Sequence, residues 1–174
     1  MTSTLKVDNI AHSGGTVGMS INSGGLVLPH SVFCQVSSLN TDQSVSAATE
    51  TKVQWGTVDI DTGGFWNASN HAFEPTIAGW YLFGGTIRGD FSNVMAYVRI
   101  RVRRDGSSSD AIVSQIQTSP DSVTNGNYAI PTATMHLNGS QTLNVSMQSE
   151  EACTLHDTAA PYYSKFFVTL VHAT

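Results

Sequence analysis

Charge is scarce in this chain. Asp, Glu, Lys and Arg make up only 12% of its 174 residues, with eight basic against thirteen acidic side chains. The resulting net charge of -5 argues against a general nucleic-acid binder, which needs a basic surface to meet phosphate. Long apolar runs are missing too. No stretch reaches the roughly 18 residues a spanning helix requires, so no membrane segment is expected. Met1-Thr2-Ser3-Thr4-Leu5-Lys6 lacks the apolar segment of a secretory signal. In that setting the Asn-x-Ser triplets at Asn67, Asn138 and Asn144 are expected to be chance products of an Asn- and Ser-rich chain. Cysteine is reduced to Cys34 and Cys153. Without an export signal, two buried free thiols are favoured, and a disulfide between an early and a late strand is the alternative.

The chemistry of catalysis is missing as well. There is no Gly-x-Ser-x-Gly elbow, no glycine loop ahead of a helix, and no carboxylate pair in a recognisable context. The six histidines, at 12, 30, 71, 136, 156 and 172, form neither His-x-His nor His-x-x-x-His, and none is spaced from a cysteine as in a metal site. A threefold axis gathering copies of one histidine is not excluded by spacing. Asp59-x-Asp61-x-Gly63 resembles the start of a calcium loop but lacks the third oxygen ligand and the distal glutamate. A solvated turn is expected there, with calcium the only cofactor worth naming. No catalytic, cofactor-binding or metal residue is assigned, and an enzyme is not expected.

What the chain does have is glycine, serine, threonine and short apolar alternations. No window carries an i, i+3, i+4, i+7 pattern over three turns, so no helix is expected. Many short strands with frequent turns predict an all-β sandwich or jelly roll. Residues 1–28 differ from the rest. Leu5, Val7 and Ile10, then Val17, Met19 and Ile21, then Leu26–Leu28 are separated by Ser-Gly-Gly at 13–15 and 23–25. Ordering such a segment costs about 1–2 kcal/mol per residue, and so few apolar side chains do not offset that cost. An extended β arm that packs on sister chains or on a scaffold is expected, with Leu5, Val7, Ile10, Met19 and Ile21 as docking residues.

The head, residues 29–174, is organised around Ala72–Asp90. Pro75 delays the strand, Gly79 is expected to supply a turn, and Trp80-Tyr81-Leu82-Phe83 is apolar on both faces, as in a strand between two packed layers. Gly84-Gly85 leave room for a close backbone or a ring. Val53 and Trp55 should face in, as should Val98, Ile100 and Val102. Ile112, Val113 and Ile116 mark another strand, and 120–127 reads as a polar loop. Period-2 alternation puts Arg99, Arg101 and Arg103 on the face opposite the valines. That face is either solvated and paired with carboxylates across strands, or a docking strip for an acidic partner or subunit.

Phe73-x-Pro75-x-x-x-Gly79-x-Tyr81-x-Phe83 resembles a signature of the complement component q and tumour-necrosis-factor globular heads. Further matches follow in order: Val98–Val102 running into Asp105-Gly106, the Met135–Leu143 strand, turn and strand with Gly139-Ser140 where the family usually has Gly-Asp, and the aromatic Tyr162–Leu170. The resemblance, over about residues 29–174, implies a jelly-roll head that forms a homotrimer by packing one sheet's aromatics around a threefold axis. Trp80, Tyr81, Phe83, Tyr162, Phe166 and Phe167 are the implied interface. Thr4–Ile10 and the Gly-Thr turn that follows resemble the starts of marine bacteriophage virion proteins. Together these imply a virion structural protein, a capsid decoration, cement or head-fibre protein whose arm holds a capsid or other virion protein. A tail-fibre tip reading bacterial surface glycan, with Trp66 and Tyr97 as stacking platforms, is one alternative. A secreted complement-q-like module, which lacks its Gly-X-Y stalk here, is the other.

Overall fold

The computed structural model describes residues 9–11, 17–21, 27–29, 31–39, 41–91, 97–105, 111–117, 125–156 and 164–174. Among them there is no helix, and the strands follow the turn-rich alternation of the sequence. They begin with β1 (Asn9–Ala11), β2 (Val17–Ile21), β3 (Val27–Pro29) and β4 (Phe33–Leu39). Then come β5 (Gln43–Val45), β6 (Thr51–Lys52), β7 (Trp55–Asp61), β8 (Trp66–Asn67) and β9 (Ala72–Phe73). The long β10 (Ala78–Phe91) is followed by β11 (Val98–Arg104), β12 (Ala111–Gln117) and β13 (Asn125–Asn138). β14 (Leu143–Ser149), β15 (Cys153–Leu155) and β16 (Lys165–Ala173) complete the chain.

Three sheets result. β1, β2 and β3 form a small antiparallel meander with Ile10 opposite Met19 and Ile21 opposite Val27. Leu5 and Val7 lie outside the described residues, and for Ile10, Met19 and Ile21 only the backbone is described. The first large sheet runs β5-β15-β10-β16-β4-β7, with β13 along the other edge of β10. The second runs β12-β11-β14-β9-β8, with β6 joined to β14.

The core lies between the two large sheets and is made by alternate residues of each. Tyr81, Phe83 and Ile87 of β10, with Phe166 and Val168 of β16, face Val98, Ile100 and Val102 of β11 and Val145 and Met147 of β14. Trp55 stacks on Phe166 with centroids 6.1 Å apart, and Phe73 meets Tyr81 edge-on at 5.5 Å. Cys34 and Cys153 are buried free thiols on β4 and β15. Burial, and secondarily the charge of Asp61, pushes the Cys34 thiol up to about 12. Burial also raises Cys153 against the opposing hydrogen bond of Ser149.

Three details depart from the sequence reading. Gly79 is no turn: it lies inside β10, where a β-carbon would meet the His172 carbonyl and sit 2.7 Å from Leu170 Cδ1. The expected loop 120–127 gives way to strand at Asn125, and β13 then runs straight through Pro131. Proline survives there because Phe83 pairs with Ala133 and Gly85 with Ile130, so the proline falls in a β-bulge and owes no ladder hydrogen bond. Thirdly, β10 is not sandwiched on both sides. Its burial alternates, with Trp80 45% exposed and Leu82 half-buried on the face away from the core.

Candidate functional site

That outward face of the first sheet is the first candidate surface, and it follows from period-2 geometry. The core claims Tyr81, Phe83 and Ile87, so Trp80, Leu82, Gly84 and Thr86 must point the other way. Register extends each into a row across the sheet. Trp80 has His172 on one side and His136 on the other, the latter in edge contact at 5.7 Å. Leu82 continues through Thr169 to Phe33, and Gly84 through Phe167 and Gln35 to Ile60, which is 47% exposed. Trp80, Leu82, Phe167, Phe33 and Ile60 thus share one face that no other part of the described chain covers.

The same face turns polar toward the far end of β10. His156 lies between two carboxylates, its Nδ1 3.0 Å from Asp42 Oδ2 and its Nε2 2.7 Å from Asp90 Oδ2. Arg88 Nε is 3.8 Å from the other oxygen of Asp90. The imidazole therefore joins three neighbouring strands, since Asp42 precedes β5, Asp90 is the penultimate residue of β10 and His156 follows β15. A shallow hollow of about 310 Å³ beside it is lined by Ser44, Ser46, Asp90, Cys153 and Thr154.

The second candidate surface is the outer face of the other sheet. Val98, Ile100 and Val102 are fully buried, which turns Arg99, Arg101 and Arg103 outward as the alternation predicts. Their opposite residues on β14 are Gln148, Ser146 and Asn144. Segment 46–50 straps across this ladder: Ala48 N donates to Ser149 O at 2.8 Å, and Gln148 Nε2 donates to Ala48 O at 2.7 Å. The strap delivers Glu50 over Ser146, where its carboxylate accepts from Arg101 Nη1, from Arg103 Nε and Nη2, and from Ser146 Oγ. Burial alone would raise the Glu50 carboxyl. Hydrogen bonds from Arg103 and Ser146 and the charges of Arg101 and Arg103 outweigh it, so the group ends below its ordinary value.

These positions correct part of the sequence-based site. Tyr81, Phe83 and Phe166 are buried in the chain's own core and do not reach a neighbour, because strand parity assigns them inward. Trp80 and Phe167 do lie on the outward face, and Tyr162 is outside the described residues. Arg101 and Arg103 are not free docking groups: Glu50 holds both, and Arg103 is buried. Arg99 keeps its outward position. Asp59 accepts from Gln35 and Ser37, while Asp61 accepts from the backbone amides of Phe65 and Trp66 and so shapes the turn. Leu82, Phe33 and Ile60 escaped the sequence reading although alternation within Trp80–Phe83 could have separated Leu82 from its neighbours. Glu50 gave no signal, since its arginine partners lie 51 and 53 residues away.

No protein-family model matches the sequence, and no curated protein matches it. Solved structures match by fold. The chain is similar to murine APRIL in its crystal structure at pH 5.0, with a TM-score of 0.61 at 15% identity over 81% of this chain and 99% of that one. The globular domain of zebrafish complement 1qA protein gives 0.59 at 13% identity, over 83% and 99%. Eiger TNF from S. frugiperda gives 0.61 at 12%, over 81% and 92%. At such identities the likeness speaks to the fold, an all-β jelly-roll sandwich of the tumour-necrosis-factor and complement-q kind.

Proposed function

We propose that this chain is a non-enzymatic head that works as a homotrimer, self-associating through the outward face of its first sheet. The observation that carries the reading is the uncovered row of Trp80, Leu82, Phe167, Phe33 and Ile60 on strands whose opposite side already closes the core. Clustered exposed apolar side chains on a soluble sandwich mark an association surface. The tumour-necrosis-factor and complement-q resemblance supports three copies in place of two. Leu82→Glu tests this, because it places a charge in the middle of the face and leaves the core alone. Light scattering should give wild type about three times the 18.6 kDa chain mass and the variant one chain mass, with unchanged circular dichroism. A wild-type monomer at micromolar concentration would overturn the reading.

Within this proposal the head is a virion structural component, a capsid decoration, cement or head-fibre protein anchored by residues 1–28. The resemblance of the N-terminal stretch to virion proteins supports it. Among the described residues the β1-β2-β3 meander pairs with neither large sheet, so the arm can be removed as a unit to test its role. Deleting residues 2–28 should leave a soluble trimeric head that no longer co-sediments with particles. Co-sedimentation at wild-type stoichiometry would show that the arm is not the anchor.

A further inference from the structure

The polar end of the first sheet holds an arrangement that needs a proton and that the apolar row does not use. His156 Nδ1 lies 3.0 Å from Asp42 Oδ2, and its Nε2 lies 2.7 Å from Asp90 Oδ2. Both are hydrogen-bond distances, and an ionised carboxylate only accepts. A neutral imidazole has one N–H and one bare lone pair. It can satisfy one of these carboxylates, but it then turns its lone pair on the other. Holding both takes one more proton, carried either by an imidazolium that donates from each nitrogen or by a carboxyl that donates to the ring.

The two contacts close a corner of the sheet that has short ladders. β5 and β15 have three residues each, β15 meets β10 through three residue pairs, and β5 meets β15 through three more. Val45, Cys153 and Leu155 are the side chains that this strand pair buries. Short ladders open more readily than long ones, so a side-chain tie matters most here. The tie spans the whole corner, with Asp42 just before β5, His156 just after β15, and Asp90 on β10. Neither carboxylate is stranded when the ring lets go. Asp42 is more than half exposed, and Arg88 Nε stays 3.8 Å from Asp90 Oδ1.

We propose that His156, with Asp42 and Asp90, is a proton-operated clasp that fastens the β5–β15 strand pair to β10 and releases it as pH rises. The sign follows from proton count. The closed form holds one proton more than the released form, so acid favours closure. Histidine is the side chain that ordinarily changes charge between about pH 5 and 8. Among the described residues, β13 sets Asn125 and Asn127 opposite Asp90 and Arg88, β15 sets Thr154 opposite Asp90, and β5 sets Ser44 opposite Thr154. None of these titrates. Lys165 stands on β16 opposite Thr86, two residues short of Arg88, and burial raises the Cys153 thiol, which stays neutral.

Amide hydrogen exchange of the full chain at about pH 5 and about pH 8, corrected for intrinsic rates, tests the clasp. Wild type should protect residues 153–155 about tenfold better at the acid end, with the peptide carrying Phe166–Val168 unchanged as reference. His156→Gln binds no proton and should show the lower protection at both pH values. Asp42→Asn should do the opposite, because its amide donates to the bare ring nitrogen. It should keep the higher protection at both. Equal wild-type protection at the two pH values overturns the proposal, as does a pH response that survives in His156→Gln. A response shared equally by the reference peptide means that the whole sandwich loosens, and it overturns the clasp too. Light scattering at the same two pH values reads self-association separately, so failure of one proposal is distinguishable from failure of the other.

Discussion

Gly85→Ala should destabilise the protein by about 3–4 kcal/mol, more than any other single methyl group added to β10. Gly85 has φ +153°, a conformation that side chains with a β-carbon rarely adopt. It pairs with Phe166 on β16 and with Ile130 on β13. A β-carbon there would press into the Lys165 carbonyl, 2.9 Å from its carbon, and lie 3.1 Å from Ile130 Cδ1. The obstacle is backbone and does not rotate away. Relief requires β16 to move off β10, and β16 carries Phe166 and Val168 into the core. The same residue faces the bulge at Pro131, so the opposing strand is already irregular there. Urea melts should show a lowered midpoint with an unchanged slope. A midpoint within error of wild type would mean that β10 and β16 do not approach as described.

Glu50→Gln should cost about 2 kcal/mol, with a distinctive pH signature. The substitution keeps size and removes the negative charge that Arg101 and the buried Arg103 share. Partial exposure of the cluster keeps the loss below that of a fully buried pair. The folded-state value of Glu50 lies below the ordinary 4.5, so the folded state favours the charged form. Its contribution is therefore fully present above pH 4.5 and is lost as pH falls through the lowered folded value. The stability gap between wild type and Glu50→Gln should stay constant across neutral pH and close in acid. A gap that persists unchanged well into acid would show that the carboxylate's charge is not what holds the strap.

The tertiary structure explains why the two surfaces were unequally legible. The second sheet's alternation was clean, with valine and isoleucine against arginine, so its two faces could be separated by sequence period alone. The first sheet offered no such contrast, because Trp80-Tyr81-Leu82-Phe83 is apolar at every position. An unbroken apolar run predicts a buried strand but says nothing about which residues bury against their own chain and which are left for another. The register of β10 with β13 and β16 makes that decision, and it divides the sequence-predicted interface in two. Tyr81, Phe83 and Phe166 go to the core, while Trp80 and Phe167 stay outside.

By itself, then, the sequence determined the all-β class, the absence of an expected helix, and the inward set Val98, Ile100 and Val102. Those properties follow from local alternation and turn chemistry, which act over a few residues. Only the tertiary structure decided that Gly79 sits within a strand, that β13 continues through Pro131, and that Glu50 crosses to Arg101, Arg103 and Ser146. It also brought Asp42 and Asp90 to either side of His156. Each depends on strands that are distant in the chain coming side by side, and no local pattern encodes which distant strand will arrive or in what register.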